Sequence, residues 1–274
     1  MNEKRFNQIA RDIKSVKIQG ATNVAKAGIK AFLLNPNPEH AKKIINLRPT
    51  EPFLQNAIYS LLNSKNPEKT ARKYFDYAEK SHKKIAKYGS SLIKNGMNIF
   101  THCHSSTVLD ILKYAKKQGK KFTVYNTETE PLMQGRQTAK ELAKIGIPVI
   151  YAPDLAAEDS LKKCHLFLFG ADAYLRNKIV NKTGTNMLCE IAYLHNIPRY
   201  SCGISLRYTK KVKIEMRPAK EVWDNRNNKI IIFNPAFSVL KSKYITGVIS
   251  EFGILPYKKF IKLAKKNVKK FRDN

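Results

Sequence analysis

The 274-residue sequence predicts an α/β protein, with a helical amino-terminal domain followed by a mostly parallel sheet domain. Three observations carry this. Residues 1–95 hold helix-period patterns almost alone. From Met97 onward, short apolar runs of strand length alternate with helix patterns, and the links between them are short and rich in turn residues. Strict alternation makes the strands parallel and covers both faces of the sheet, which gives a Rossmann-like core. The expected division is 1–95 and 96–274.

In the first domain, helices are expected at about 6–15, 23–35, 52–62 and 67–95. Turn chemistry separates them at Gln19-Gly20-Ala21, at Asn35-Pro36-Asn37-Pro38 and at Arg48-Pro49-Thr50-Glu51-Pro52. In the second, strands are expected near 97–102, 121–126, 147–151, 165–169, 197–202 and 229–233, with helices near 105–118, 135–145, 156–163 and 184–195. The remainder from Tyr244 mixes a short strand with a basic terminal helix.

Composition narrows the setting. Four cysteines, Cys103, Cys164, Cys189 and Cys202, form no C-x-x-C pair and no zinc spacing, so a reducing, cytoplasmic compartment is expected. No leader pattern opens the chain, and no apolar run reaches membrane-spanning length. The balance of 51 Lys+Arg against 21 Asp+Glu, formally +30, favours anionic ligands. Its lysines are scattered over nearly every helix without interleaved aromatics, so a dedicated nucleic-acid surface is not expected, nor is a membrane partner. G-x-G-x-x-G and G-x-x-x-x-G-K-[ST] are both missing, so nothing calls for a nucleotide cofactor.

Chemistry is expected beyond the carboxyl ends of the strands. Cys103 follows the first strand inside Thr101-His102-Cys103-His104-Ser105-Ser106 and precedes a helix, where backbone N–H groups favour a thiolate or a phosphate. Glu128 and Asp154 follow the next two strands, Asp172 follows the fourth within Gly170-Ala171-Asp172, and Ser205 to Arg207 follow the fifth. Asn181-Lys182-Thr183-Gly184 reads as a polar loop at a helix start, fit to cradle a phosphate. His102 and His104 lack a third ligand at recognisable spacing, so no metal site is expected.

These stretches, with Glu128-Thr-Glu-Pro-Leu-Met-Gln-Gly135, Gly146-Ile-Pro-Val-Ile150, Arg48-Pro-Thr50, Asn234-Pro-Ala-Phe237 and Gly253-Ile-Leu-Pro256, resemble a superfamily over nearly the whole chain. It unites the alpha, beta and delta subunits of translation initiation factor 2B with methylthioribose-1-phosphate isomerase and archaeal ribose-1,5-bisphosphate isomerase, and the likeness is greatest to the last. The resemblance implies conversion of ribose 1,5-bisphosphate to ribulose 1,5-bisphosphate in AMP degradation, without a cofactor. It implies Cys103 and Asp172 as the catalytic pair, and sugar-phosphate contacts at Gln19, Gly20, Ala21, Thr22, Arg48, Ser105, Ser106, Asn181, Lys182 and Arg207. It further implies a homodimer or homohexamer, with AMP as a candidate activator. Gln19 stands where an arginine usually opens an R-G-A motif, and Glu130 replaces the arginine of E-[TS]-R-P. A related sugar phosphate such as methylthioribose 1-phosphate, or a non-catalytic regulatory subunit, are therefore the alternatives. Two local expectations accompany this: Arg136 as the partner of Glu130, and the apolar stretch from Tyr244 to Ile249 as a surface patch for self-association.

Overall fold

A computed structural model describes residues 2–273. Five helices come first: α1 (Asn2–Lys14), α2 (Ala21–Leu34), α3 (Pro38–Leu47), α4 (Pro52–Leu62) and α5 (Pro67–Ser90). Then follow β1 (Asn98–Thr101), α6 (Ser106–Lys117), β2 (Thr123–Thr127), α7 (Gln134–Lys144), β3 (Val149–Ala152), α8 (Ala157–Leu161) and β4 (Leu166–Gly170). A hairpin, β5 (Ala173–Tyr174) and β6 (Lys178–Lys182), leads into α9 (Thr185–Leu194) and β7 (Arg199–Cys202). The chain ends with β8 (Phe237–Lys241), β9 (Gly247–Ser250), β10 (Gly253–Leu255) and α10 (Tyr257–Arg272).

The helical amino-terminal region and the sheet agree with the sequence reading, and three local differences have physical causes. Helix α3 was hidden by its own start signal. Asn37 caps it by accepting from the His40 N–H at 2.9 Å, and Pro38 occupies its first turn, so a segment that reads as a turn is a helix amino end. Residues 229–233 form no strand. Ile231 and Phe233 are 92% and 77% exposed, and the strand that pairs with β6 begins four residues later, at Phe237. The stretch from Tyr244 to Ile249 is no surface patch. It supplies β9, whose Val248 and Ile249 are fully buried between β7 and the antiparallel edge strand β10.

The main sheet runs β10-β9-β7-β4-β1-β2-β3, parallel except for β10. The chain enters at β1 and winds outward through β2 to β3. It then returns to the other side of β1 as β4 and winds outward again through β7 and β9. Phe167 of β4 meets Phe100 of β1 edge to face and Phe169 of its own strand at a tilt, with ring centroids 5.1 Å apart in each contact. One apolar cluster gathers α6 with the amino-terminal helices, and a second gathers α8, α9 and α10 with Phe100, Phe167 and Phe169. A separate antiparallel sheet, β5-β6-β8, stands beyond the end of β4.

Buried polar ties fasten the helical region to the sheet. Asn56 of α4 donates to the carbonyls of Leu206 at 2.8 Å and Tyr208 at 3.1 Å. The Tyr77 hydroxyl of α5 donates to Glu251 at 2.6 Å and accepts from Asn267 of α10 at 2.7 Å. Glu251 in turn accepts from the Ser205 backbone N–H at 3.0 Å and from its hydroxyl. Phe167 is fully buried between its two aromatic neighbours, on the face of the sheet covered by α8, α9 and α10. Phe167→Ala is expected to cost about 3–5 kcal/mol, the usual range for a buried aromatic truncated to alanine. Urea denaturation measures this, and a loss below about 1 kcal/mol would show that the site collapses around the gap.

Candidate active site

The reversal of winding puts β1 and β4 side by side while their following loops turn apart, and ligands of open α/β sheets lie in such a crevice. Cys103 lies two residues beyond β1 and Asp172 two residues beyond β4. Both line one pocket of about 750 Å³, counted to its open mouth. Of the residues expected to touch substrate, Gln19, Gly20, Ala21, Arg48, Ser105, Ser106, Asn181, Lys182 and Arg207 share its wall. Thr22 does not. It lies behind, where its hydroxyl accepts from Arg207 Nη2 at 3.2 Å and meets His82 Nε2 at 3.1 Å, so it orients an arginine of the pocket.

The Cys103 loop is held rigidly. Cys103 takes a left-handed backbone, φ +68°, and donates its N–H to Thr129 Oγ1 at 2.9 Å, while its carbonyl accepts from Thr138 at 2.9 Å. Thr129 is itself fixed by Asp154, which accepts the N–H groups of Thr129 at 2.9 Å and Glu130 at 2.7 Å. His102 is buried, and its Nε2 faces the Thr183 carbonyl at 3.0 Å, so Nε2 carries the proton and Nδ1 accepts from Thr127 at 2.9 Å. Burial keeps this imidazole neutral by lowering its pKa. His104 pairs with Thr138 at 3.0 Å. Both histidines brace the loop. Ser105 caps α6, and Gly170 lies so close that a Cβ there would stand 2.7 Å from Ser105 Oγ, which is why the strand ends in glycine.

Burial pushes the Cys103 thiol above its ordinary range, against the opposing pull of Lys182 and the His104 N–H. The thiolate expected from the helix terminus is thus outweighed by desolvation in the ligand-free pocket. Burial likewise raises Asp172, with Arg207, Lys182 and Arg48 opposing. Asn181 and Lys182 end strand β6 and do not form a loop; the β5–β6 hairpin folds back over the site and delivers Lys182 beside Phe237. Arg136 pairs with Glu128 at 3.4 Å, and not with Glu130, whose exposed side chain lies outside the pocket wall.

The structure adds wall residues that the sequence reading left unassigned: Glu51, Gln134, Glu215 and Arg217. Arg48 donates Nε to Glu215 at 2.8 Å and Nη2 to Glu51 at 3.4 Å, and Arg217 donates to Glu215 at 3.0 Å. Burial disfavours the charge on Arg48, but Glu51 and Glu215 together hold it in place. Nothing in Arg48-Pro49-Thr50-Glu51-Pro52 marks Glu51 as a buried acid, and Glu215 sits in an irregular segment more than 160 residues away.

Fold and pocket together define a class: an α/β protein whose helical region closes over the switch point of a parallel sheet, with a thiol, carboxyls and cationic groups in one anion-receptive pocket. A sequence model of the Initiation factor 2 subunit family matches residues 21–257, and the chain belongs to that family. It is 31% identical to a ribose 1,5-bisphosphate isomerase of Thermococcus kodakarensis, over 92% of this chain and 91% of that one. It is 33% identical to the protein of the same name from Methanocaldococcus jannaschii, over 89% of each. The crystal structure of the Pyrococcus horikoshii OT3 translation initiation factor eIF-2B superposes with a TM-score of 0.85 at 28% identity, covering 94% of this chain and 98% of that chain.

Cys164, Cys189 and Cys202 are buried, whereas Cys103 opens to the pocket. Iodoacetamide is therefore expected to modify Cys103 first, with a rate that keeps rising above the ordinary cysteine range, because the raised thiol must ionise before it reacts. Lys182→Gln should move that profile to still higher pH. Peptide mass mapping across pH reads both effects, and a profile centred near neutrality would contradict them.

Proposed function

We propose that the protein is a sugar-phosphate isomerase that converts ribose 1,5-bisphosphate to ribulose 1,5-bisphosphate. The observation that carries the reading is the placement of Cys103 and Asp172 beyond the two strands that flank the switch point, in one pocket with Arg48, Lys182 and Arg207. The isomerases at 31% and 33% identity support it.

The reaction needs only proton transfers. A base removes the C2 proton, the electron pair forms a C1–C2 double bond, and the ring oxygen leaves C1 with a proton from an acid. The enol then loses its O2 proton as C1 gains one, which leaves a C2 ketone and C1 still phosphorylated. Asp172, whose carboxyl burial raises above its ordinary range, suits proton exchange with the ring oxygen and then with O2. Cys103 suits the carbon transfers once ionised, aided by Lys182. Lys182, Arg48, Arg207, Asn181 and the helix amino ends at Gly20-Ala21 and Ser105-Ser106 hold the phosphates through charge-assisted hydrogen bonds.

Cys103→Ser and Asp172→Asn should each fold normally and lose about 10²–10⁴-fold in turnover of ribose 1,5-bisphosphate. Turnover within about tenfold of the parent for either variant would remove that residue from the chemistry. Gln19 supplies a neutral group to the pocket wall, which favours testing singly phosphorylated riboses and methylthioribose 1-phosphate in the same assay. Silence with every substrate would leave the regulatory-subunit reading. AMP added to the assay tests activation, and with it the setting in cytoplasmic nucleotide degradation.

The same reading carries a homodimer or homohexamer. Leu155, 99% exposed, lies just before α8, and Leu194, 75% exposed, ends α9, two helices that touch one another; Tyr193 of α9 is half exposed. Apolar groups so placed are expected to be covered by a second copy. Sedimentation at micromolar concentration should give at least a dimer, and Leu155→Asp with Leu194→Asp should shift it toward monomer. A monomeric parent would refute this.

A further inference from the structure

The reaction as described leaves one buried acid unused. Glu51 is 1% exposed and shares the pocket wall with Arg48, Asp172 and Arg207. Its Oε1 accepts from Arg48 Nη2 at 3.4 Å, and its Oε2, fully enclosed, has no hydrogen-bond partner among the described residues. Arg48 offsets its charge only in part, since the shorter contact from that guanidinium, 2.8 Å, goes to Glu215 and burial outweighs the attraction. Glu215 is doubly paired, to Arg48 and Arg217. A carboxylate stripped of water with one oxygen facing nothing is costly. A proton on that oxygen removes the charge and makes the atom a donor. Two further donors of the same wall, Arg48 Nη1 and Arg207 Nε, also lack a hydrogen-bond partner among the described residues. Three such groups together suit a ligand rich in acceptor oxygens.

We propose that Glu51 works as a neutral carboxylic acid, donating a hydrogen bond from Oε2 to an acceptor oxygen of the bound sugar phosphate, and so is a substrate-binding residue of this site. The inference deepens the isomerase reading and rests on it. The charged groups that face Glu51 are Asp172, Arg48, Arg207 and Glu215. Burial, then Asp172, raise its carboxyl to about 8 against the pull of Arg48 and Arg207. The donor is therefore present below pH 8 and lost as the pH rises through it, so binding weakens on the alkaline side.

Carbon-13 spectra of ligand-free protein labelled at the glutamate carboxyls test the neutral acid without any substrate. One carboxyl should titrate near pH 8 and be missing from Glu51→Gln; titration of every glutamate below about pH 6 overturns the inference. Calorimetry with ribose 1,5-bisphosphate tests the contact. For the parent, the dissociation constant should rise by up to about tenfold per pH unit above 8, with proton uptake on binding. That rise should vanish in Glu51→Gln, which keeps a donor, while Glu51→Ala should bind several-fold more weakly already at pH 7. A parent affinity flat from pH 7 to 9.5 overturns the inference and needs no variant, and so does an alkaline rise that persists in Glu51→Gln. No binding at any pH overturns the contact and the isomerase reading together. The expected pH profile without turnover leaves the contact standing and removes the isomerase reading, whereas turnover with flat affinity does the reverse.

Discussion

The reversal of winding between β1 and β4 is the constraint on which the rest of the structure depends. Parallel strands joined by short crossovers must send their helices to one face or the other, and the hand of each crossover is fixed. A sheet that begins in its middle therefore opens a crevice where the two directions part. Both loops at this crevice carry a titratable side chain, Cys103 and Asp172, and the parallel pairing of β1 with β4 sets the distance between the strands that present them. The small sheet β5-β6-β8 hangs from the end of β4 and returns Lys182 to the same place. Residues far apart in sequence meet because the topology leaves them one place to go.

The second organising feature is a seam of buried charge. Arg48 comes from the turn before α4, Glu215 from the irregular segment after β7, and their contact, with the Thr50 hydroxyl donating to the Lys213 carbonyl at 2.6 Å, joins the helical region to the sheet. Isolated buried ion pairs contribute little net stability, because desolvation offsets the attraction. Here the same guanidinium faces the pocket, so the seam locks the helical region over the site and fills part of its wall with fixed cationic groups. The arginines are oriented before any ligand arrives, which lowers the entropy lost on binding.

Much of the fold was legible because hydrophobic period and chain punctuation are local. The run Leu166–Gly170 is apolar on both faces and could only be a central strand, and Cys103 at a strand-to-helix turn marked the crevice from sequence. The misses share a cause: they depend on partners elsewhere in the chain. Residues 229–233 have strand-forming side chains but join neither sheet, while Gly247–Ser250, less apolar in composition, is drawn between β7 and β10. The ordinary turn motif around Glu51 says nothing of its burial or of the charges it meets at Arg207 and Glu215, more than 150 residues away. Thr22 and Arg136 show the converse: a motif places a residue near the pocket, but the side chain's partner decides whether it faces in.

The polar knot at Tyr77 also governs the order in which the molecule can be completed. Tyr77, Ser205, Glu251 and Asn267 meet through short hydrogen bonds, yet they are made across nearly two hundred residues of chain. Arg207 stands two residues from Ser205, on the same single turn of helix, and that turn packs against α10. As a chain leaves the ribosome, the helices and the first four parallel strands emerge well before α10 and can begin to pack. The turn that carries Arg207 can meet Asn56 of α4 early, but its seat is complete only when Glu251 and Asn267 have followed. The pocket is consequently among the last parts of the protein to form, and a nascent chain holds every residue of the site before it holds the site itself.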